Sequence, residues 1–274
     1  MYVVSCRRDF ESNIHFSKVP LYRNYANPAS HKEFQEITID PILAAATGKH
    51  VCLLVHGFNN PIENVAKSYW ALVSGLDKPG LNGVGGYGLV VGFTWPGSRT
   101  GIGYFGAPRK ADKAASDFLD LINALRAVAM TVDVQTHSLG ARVALRALEK
   151  PGKTFVSNLM MAAPAVDDNI LEPRESFFDS TISCERCIVY HSKEDSVLKT
   201  FPIPDAFDGI HGALGRKGPR RKAITLEKTP NVYVVDCTAR VKKEHGGYRK
   251  TPQYFEHWKV VLSGAPLNRY DALT

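Results

Sequence analysis

From residue 50 onward, short β-branched runs alternate with stretches whose apolar residues recur every three or four positions. Runs at 51–55 (VCLLV), 89–94 (LVVGFT), 132–136 (VDVQT), 155–162 (FVSNLMMA), 187–191 (CIVYH) and 232–236 (VYVVD) predict strands. Several are almost continuously apolar, the pattern of strands covered on both faces. Between the first two, Asn60 is placed to cap a helix, Pro61 suits its first position, and Glu63 completes a capping box. Ile62, Val65, Tyr69, Leu72 and Leu76 then follow at helical spacing. A second helix over 109–129 carries Ala111, Ala115, Phe118, Ile122, Leu125 and Ala129 on one stripe. A third, 139–149, follows its strand with almost no loop and stops at Pro151-Gly152. A last helix starts at Thr251-Pro252 and ends near Gly264, with Tyr254, Trp258 and Val261 inward. The first 40 residues predict two more strands, 2–5 and 34–39, as an antiparallel lead-in.

This alternation predicts an α/β fold with a mostly parallel central sheet of about eight strands and helices on both faces. The 274 residues read as a single domain, with 1–49 as the lead-in and no repeat or interdomain linker. Two segments, 96–108 and 201–230, match neither periodicity. Long irregular connections usually carry function, and both would leave carboxyl ends of strands, the edge where open α/β sheets bind ligands. They are expected to lie over the active site.

Composition changes this picture little. With 44% apolar and 22% charged residues, the chain has an ordinary globular balance and enough length for a large core. Five scattered cysteines, Cys6, Cys52, Cys184, Cys187 and Cys237, read as small hydrophobes in a reducing compartment. The amino-terminal residues lack the order of a secretory signal, and no run approaches the ~20 apolar residues of a membrane span, so the expected location is cytoplasmic. The net charge of +7 is partly concentrated in Arg216, Lys217, Arg220, Arg221 and Lys222, and again around Lys242, Lys243, Arg249 and Lys250. Neither stretch interleaves aromatics with its charges, so solvated loops are expected and nucleic-acid binding is not.

The chemistry centres on Thr136-His137-Ser138-Leu139-Gly140. A serine between a buried strand and an Ala-rich helix needs a turn so sharp that its flanks must be small, which is the physics of the Gly-x-Ser-x-Gly elbow. Gly140 supplies the second small position, and Thr136 stands where glycine is usual. The helix after the serine aims unpaired N–H groups and a positive dipole end at it. His56-Gly57-Phe58 lies in a matching strand–loop–helix context, so the backbone N–H groups of Leu139 and Phe58 are the expected oxyanion donors. The bland alternative, a turn at His56-Gly57 and a helix cap at Ser138, explains each context separately but not both together.

The strings LLVHGFNNPIENV, FTWPGS, THSLGARVALRAL, MMAAPAVDD and HSKEDSVL resemble α/β-hydrolases, and within them a bacterial branch of hydrolase-like proteins of unknown function. The resemblance runs from about residue 50 to 262 and implies the chain order serine, acid, histidine. It points to Asp195, in the loop after 187–191, as the acid, with Asp168 after the preceding strand as fallback and Glu194 as a neighbour. The base is then expected after the last strand, at His245 among glycines, with mid-helix His257 as the rival. His137 leaves the elbow on a different side from Ser138 and is expected to pack as support, while His191 and His211 have no motif around them.

The remaining signals are weaker. The glycine-dense 80–88 precedes a strand instead of following one, so it reads as a loop, not a dinucleotide site. Cys184-x-x-Cys187 lacks a second metal-spaced pair, and neither metal nor cofactor is expected. Trp95, Tyr104 and Phe105 are candidates to line an acyl pocket. The expected function is a serine hydrolase of small-molecule carboxylic esters or thioesters, acting through an acyl-enzyme and most simply a carboxylesterase, with lipase or acyltransferase chemistry close by. The rival is a non-catalytic α/β-hydrolase scaffold that binds a partner or nucleic acid through residues 216–222.

Overall fold

A computed structural model of the chain describes residues 1–27, 30–77, 86–97, 106–149, 156–200 and 212–274. Its strands are β1 (Tyr2–Arg7), β2 (Phe16–Tyr25), β3 (Phe34–Ile37), β4 (His50–Val55), β5 (Leu89–Thr94), β6 (Thr131–His137), β7 (Val156–Ala162), β8 (Cys184–His191), β9 (Val232–Asp236) and β10 (Tyr270–Ala272). They form one sheet in the order β10-β9-β8-β7-β6-β4-β5-β1-β2-β3. Every pairing from β10 to β1 is parallel, and only β1–β2 and β2–β3 are antiparallel.

The sheet therefore has ten strands among the described residues, not about eight. The two extra strands are those whose patterns are least strand-like. β2 carries Pro20 and stays largely exposed or half-buried, and β10 is three residues long with two of them exposed. The lead-in also differs from expectation, because β1 enters the parallel part of the sheet beside β5, and only β2 and β3 run against their neighbours. Five of the six residues of β1 are buried, as befits a strand with a neighbour on either side.

The helices are α1 (Asp40–Ala46), α2 (Ile62–Asp77), α3 (Ala107–Arg126), α4 (Gly140–Ala147), α5 (Phe178–Ile182), α6 (Ser196–Thr200), α7 (Leu214–Lys217), α8 (Lys222–Lys228), α9 (Thr238–Val241) and α10 (Pro252–Leu262), with a 3-10 turn at Gly247–Lys250. The four long ones match the apolar stripes at 60–76, 109–129, 139–149 and 251–264. The connection through α2 runs from β4 to β5, and the one through α3 runs back past β4 to β6. Right-handed crossovers in opposite directions put α2 and α3 on opposite faces of the sheet. Accordingly α2 packs with α10, and α3 with α4. The sheet between them is almost dry, with Val51 to Val55 of β4 at most 1% exposed.

One buried polar cluster interrupts this core. Asp133 on β6 accepts hydrogen bonds from Tyr87 Oη (2.5 Å), the Asn158 backbone N–H (3.1 Å) and Asn158 Nδ2 (2.9 Å). Trp258 Nε1–H donates in turn to Tyr87 Oη at 2.9 Å, tying α10 to the sheet. Burial nevertheless outweighs these donors and pushes the Asp133 carboxyl up to about 6. The folded protein thus holds this proton where the unfolded chain has released it, so the group's stabilisation is present below pH ~4 and is lost as pH rises to ~6. Asp133→Asn should remove that dependence. In urea titrations the wild type is expected to lose roughly 2 to 3 kcal/mol relative to the variant between pH 4 and 6.5, and a pH-independent difference would contradict it.

Candidate active site

The sheet reverses its direction of growth at β4 and β6, neighbours whose following segments leave toward opposite edges. Such a switch point opens a crevice at the carboxyl ends of the strands. His56 and Gly57 follow β4 there, and Ser138 follows β6.

Ser138 has φ 55°, in the left-handed region. For a non-glycine residue that conformation costs about 1 to 3 kcal/mol and persists only where the surroundings over-determine it. Here the Ser138 N–H donates to the Ala162 carbonyl at 3.0 Å, and the Ser138 carbonyl accepts from the N–H groups of Ala141 and Ala165, both at 3.1 Å. Space around the elbow is equally constrained. A Cβ on Gly140 would fall 2.5 Å from the His56 carbonyl oxygen, and one on Gly57 would fall 2.7 Å from Ser138 Cβ. Thr136, at the position where glycine is usual, is fully buried.

His245 lies between β9 and α10, after α9, and its Nδ1 is 2.8 Å from Asp195 Oδ2. Asp195, fully buried after β8, is held from behind, because its Oδ1 accepts the N–H groups of Val197 (3.0 Å) and Leu198 (2.9 Å). One carboxylate oxygen is thereby fixed on the backbone and the other is left for the imidazole. His137 Nε2–H donates to the His245 carbonyl at 2.8 Å, and the two rings lie 4.7 Å apart. Burial, and then the neighbouring His245, pull the His137 pKa down to about 3, so its ring is neutral. No hydrogen bond within 3.5 Å joins Ser138 Oγ to His245, yet both side chains face one cavity of about 230 Å³. Catalytic contacts of this kind are often long in unliganded enzymes and tighten when substrate is bound.

The loop carrying Phe58 is braced by its own histidine. His56 Nδ1–H donates to the Gly57 carbonyl at 2.7 Å, and its Nε2 accepts the Trp95 backbone N–H at 3.1 Å. Burial, and then the nearby Arg7 charge, hold His56 well below the ordinary histidine pKa. Arg7, fully buried on β1, reaches the Asn60 carbonyl at 2.7 Å and His56 Nε2 at 3.2 Å. Burial lowers its pKa to about 10. Asn60 is placed where a cap was expected, but the first hydrogen bonds of α2 go to the Pro61 carbonyl. The Asn60 Nδ2 group donates to the carbonyls of Gly57 (3.2 Å) and Phe58 (2.9 Å), closing the same loop. Phe58 lines the cavity, and Leu139, the residue before α4, follows Ser138 directly; backbone N–H groups at such positions are the ones an oxyanion would need as donors. Such a pair can accept developing negative charge.

Other sequence candidates lie elsewhere. Asp168 Oδ2 accepts the Gly212 N–H at 3.0 Å, and no hydrogen bond between described residues joins it to His245. Glu194 is exposed. His257 Nδ1 is 2.9 Å from Tyr190 Oη, away from the cavity. Trp95 is fully buried, stacks on His56 at 5.7 Å and donates its indole N–H to the His56 carbonyl at 2.9 Å, so it supports the loop without lining the cavity. Tyr104, Phe105 and His211 lie outside the described residues, as do much of 96–108, the first part of 201–230 and most of 80–88. Of the basic stretch, Arg221 pairs with buried Glu172, and Lys222 Nζ sits 3.6 Å over the Tyr270 ring. All five cysteines are free and buried. Among the described residues no cluster of three potential metal ligands occurs, and no helix is long and apolar enough to cross a membrane.

Several cavity residues carry no sequence motif, namely Ser68 and Tyr69 of α2 and Arg249 of the 3-10 turn. Tyr69 shows only as one member of an apolar stripe, although its hydroxyl accepts the His56 N–H at 3.1 Å and donates to the Phe93 carbonyl. Arg249 reads in sequence as part of a surface basic patch. Only its position four residues after His245 hints otherwise.

Residues 31–206, more than half of the chain, match the family described as alpha/beta hydrolase of unknown function (DUF900). Among solved structures the chain is similar to LpqC, a poly(3-hydroxybutyrate) depolymerase from Bordetella parapertussis, with a TM-score of 0.50 and 13% identity over 92% of this chain and 86% of that one. It is also similar to a protein assigned to the alpha/beta hydrolase superfamily from Xanthomonas campestris pv. campestris, with a TM-score of 0.40 and 13% identity over 79% of this chain and 96% of that one. A third similarity is to a metagenome-derived lipolytic enzyme, with a TM-score of 0.34 and 13% identity over 58% and 77% of the two chains. No curated protein matches in sequence.

Proposed function

The chain belongs to this family of alpha/beta hydrolases, and from that premise we propose that it is a serine hydrolase of carboxylic esters, with Ser138, His245 and Asp195 as its triad. The observation that carries the reading is the 2.8 Å contact of His245 Nδ1 with buried Asp195, at a cavity that Ser138 enters from a left-handed elbow. A carboxylate on Nδ1 fixes the tautomer whose Nε2 is bare, which is the form able to take a proton from a hydroxyl.

In the proposed cycle His245 Nε2 removes the Ser138 Oγ proton as Oγ bonds to the ester carbonyl carbon. Negative charge moves to the carbonyl oxygen, which accepts hydrogen bonds from the N–H groups of Phe58 and Leu139. Asp195 stabilises the imidazolium. Collapse breaks the bond to the leaving oxygen, His245 returns the proton to it, and an acyl-Ser138 ester remains. Water, deprotonated by the same histidine, then attacks the acyl carbon, the bond to Ser138 Oγ breaks to release the acid, and His245 returns the proton to Oγ. The loop braced by Arg7, His56 and Asn60 keeps the Phe58 N–H in place throughout, at no reorganisation cost during the reaction.

The cavity is smaller than the roughly 300 Å³ at the lower end of drug-sized sites, which favours a short acyl group. Assay of 4-nitrophenyl esters from acetate to decanoate tests the reading. Hydrolysis with the highest kcat/KM at six carbons or fewer is expected. Rates no higher than buffer across the whole series would contradict an esterase.

A further inference from the structure

Arg249 faces the same cavity as Ser138 and His245, yet the cycle just described gives it no task. Its guanidinium lies against the backbone beside the base, where a Cβ on Gly246 would fall 3.0 Å from Arg249 Nη2. Among the described residues its polar contact is a single one, Nη1–H to Ser68 Oγ at 3.2 Å, and no carboxylate lies within 4 Å. The neighbouring acids pair with other groups or make no ion pair with Arg249. Glu244 pairs with Lys250 at 3.1 Å, and Glu256, which lines an adjoining cavity of about 210 Å³ together with Arg249, is exposed and makes no ion pair with it. The charge is partly buried and uncompensated: burial lowers the Arg249 pKa with no anion to offset it, and the same charge contributes to the low pKa of His137.

Holding a guanidinium in that condition costs stability. Several other cationic side chains packed into the described part of the protein have partners that explain them. Arg142 makes a two-point contact with Asp112, at 2.8 and 3.0 Å, and Arg221 pairs with Glu172. Arg7 is buried and makes no ion pair among the described residues, but its work is visible in the His56 loop. Arg249 lines the cavity that Ser138 and His245 also line, and a planar fork of N–H donors matches an anionic group with two or more oxygens.

We infer that Arg249, steadied by Ser68, is a specificity-determining residue that binds a carboxylate or phosphate carried by the substrate, so that the preferred esters are anionic. The inference rests on the reading of Ser138 as the nucleophile for its kinetic consequence, but not for the anion site itself. A substrate anion fixed there orients the ester carbonyl toward Ser138 and between the two N–H donors. The overall positive charge of the chain would also attract such a substrate.

The test compares 4-nitrophenyl hexanoate with mono-4-nitrophenyl adipate, which share a six-carbon acyl chain and differ in a terminal carboxylate. For the wild type, kcat/KM is expected to be higher for the adipate ester by about 10-fold or more. Arg249→Gln should bring the ratio close to one, mainly through KM, and Arg249→Lys should restore part of it. Inhibition by adipate against inhibition by hexyl phosphate separates the two anions, the tighter inhibitor naming the natural group. A wild-type ratio at or below one, or a ratio that Arg249→Gln leaves unchanged, overturns the inference. Should the wild type hydrolyse neither ester, melting temperatures decide. A rise with adipate that Arg249→Gln abolishes keeps the anion site and removes the hydrolase reading, and no rise in the wild type removes the anion site as well.

Discussion

Replacing Ser138 with alanine is expected to lower kcat for 4-nitrophenyl butyrate by about a millionfold, to the level set by binding and the oxyanion donors alone. The loss is large because the nucleophile acts as one unit with its base, and Ser68, whose hydroxyl also faces the cavity, is engaged by Arg249 Nη1–H at 3.2 Å. Neighbouring His137 is neutral and donates its Nε2–H to a carbonyl. The Tyr69 hydroxyl is committed to the His56 and Phe93 backbone. The change should be almost silent in stability. Among the described residues the hydroxyl of Ser138 makes no hydrogen bond, and the elbow is held by backbone contacts that alanine keeps. A melting temperature within about 2 °C of wild type is expected, so the kinetic loss will not be confused with unfolding. Residual activity within tenfold of wild type would contradict the assignment.

Asp195→Asn is expected to cost about ten-thousandfold in kcat, and the reason lies in how the carboxylate is anchored. Asp195 Oδ1 accepts two backbone N–H groups, from Val197 and Leu198. An asparagine there must turn its oxygen to those donors, which leaves its NH₂ facing His245 Nδ1. The imidazole then has to accept at Nδ1 and carry its proton on Nε2, the tautomer that cannot deprotonate Ser138. The geometry would survive and the base would be lost. Asp168→Asn, measured beside it, should leave kcat within about threefold, because its carboxylate holds the Gly212 N–H and touches no histidine of the cavity. Equal losses in both variants would point to a general loss of structure, and a loss confined to Asp168→Asn would move the acid to β7.

The features legible in the sequence are those set by local physics. A continuous apolar run followed at once by an Ala-rich helix leaves room for little besides a sharp turn, so β6, the elbow at Ser138 and α4 can be read without neighbours. The same holds for β4 with His56-Gly57 and for the stripes of α2, α3 and α10. Asp195 and His245 lie 50 residues apart and became candidates only through the chain order that the family resemblance implies. Their 2.8 Å contact depends on β8 and β9 being adjacent, which no local pattern states. Arg7 is beyond such reading altogether. It meets His56 because β1 inserts beside β5, two strands from β4, and a run of six residues near the amino terminus does not disclose its place in the sheet order. Arg249 is missed for the opposite reason. Surrounded in sequence by Lys242, Lys243 and Lys250, it looks like a solvated charge, and only the turn at Gly247–Lys250 directs it inward beside Ser68.

Strand count and the place of Trp95 differ from expectation in equally specific ways. β10 at one edge and β2, next to the strand at the other, are half-exposed segments stabilised by pairing and not by an apolar face, so hydrophobic periodicity does not register them. Trp95 is large, aromatic and close to the site in sequence, but its ring is spent on bracing His56. Proximity to a loop of interest does not distinguish an aromatic that lines a cavity from one that supports its wall.

The central claim is that Ser138 is a nucleophile activated by His245, and covalent labelling tests it most directly. After treatment with a fluorophosphonate, the intact wild-type protein should gain the mass of one phosphonyl group, located by peptide mapping on Ser138. Ser138→Ala should gain none, and His245→Ala should react far more slowly. A folded wild type that stays unlabelled, or one labelled at another residue and unaffected by Ser138→Ala, would contradict the account.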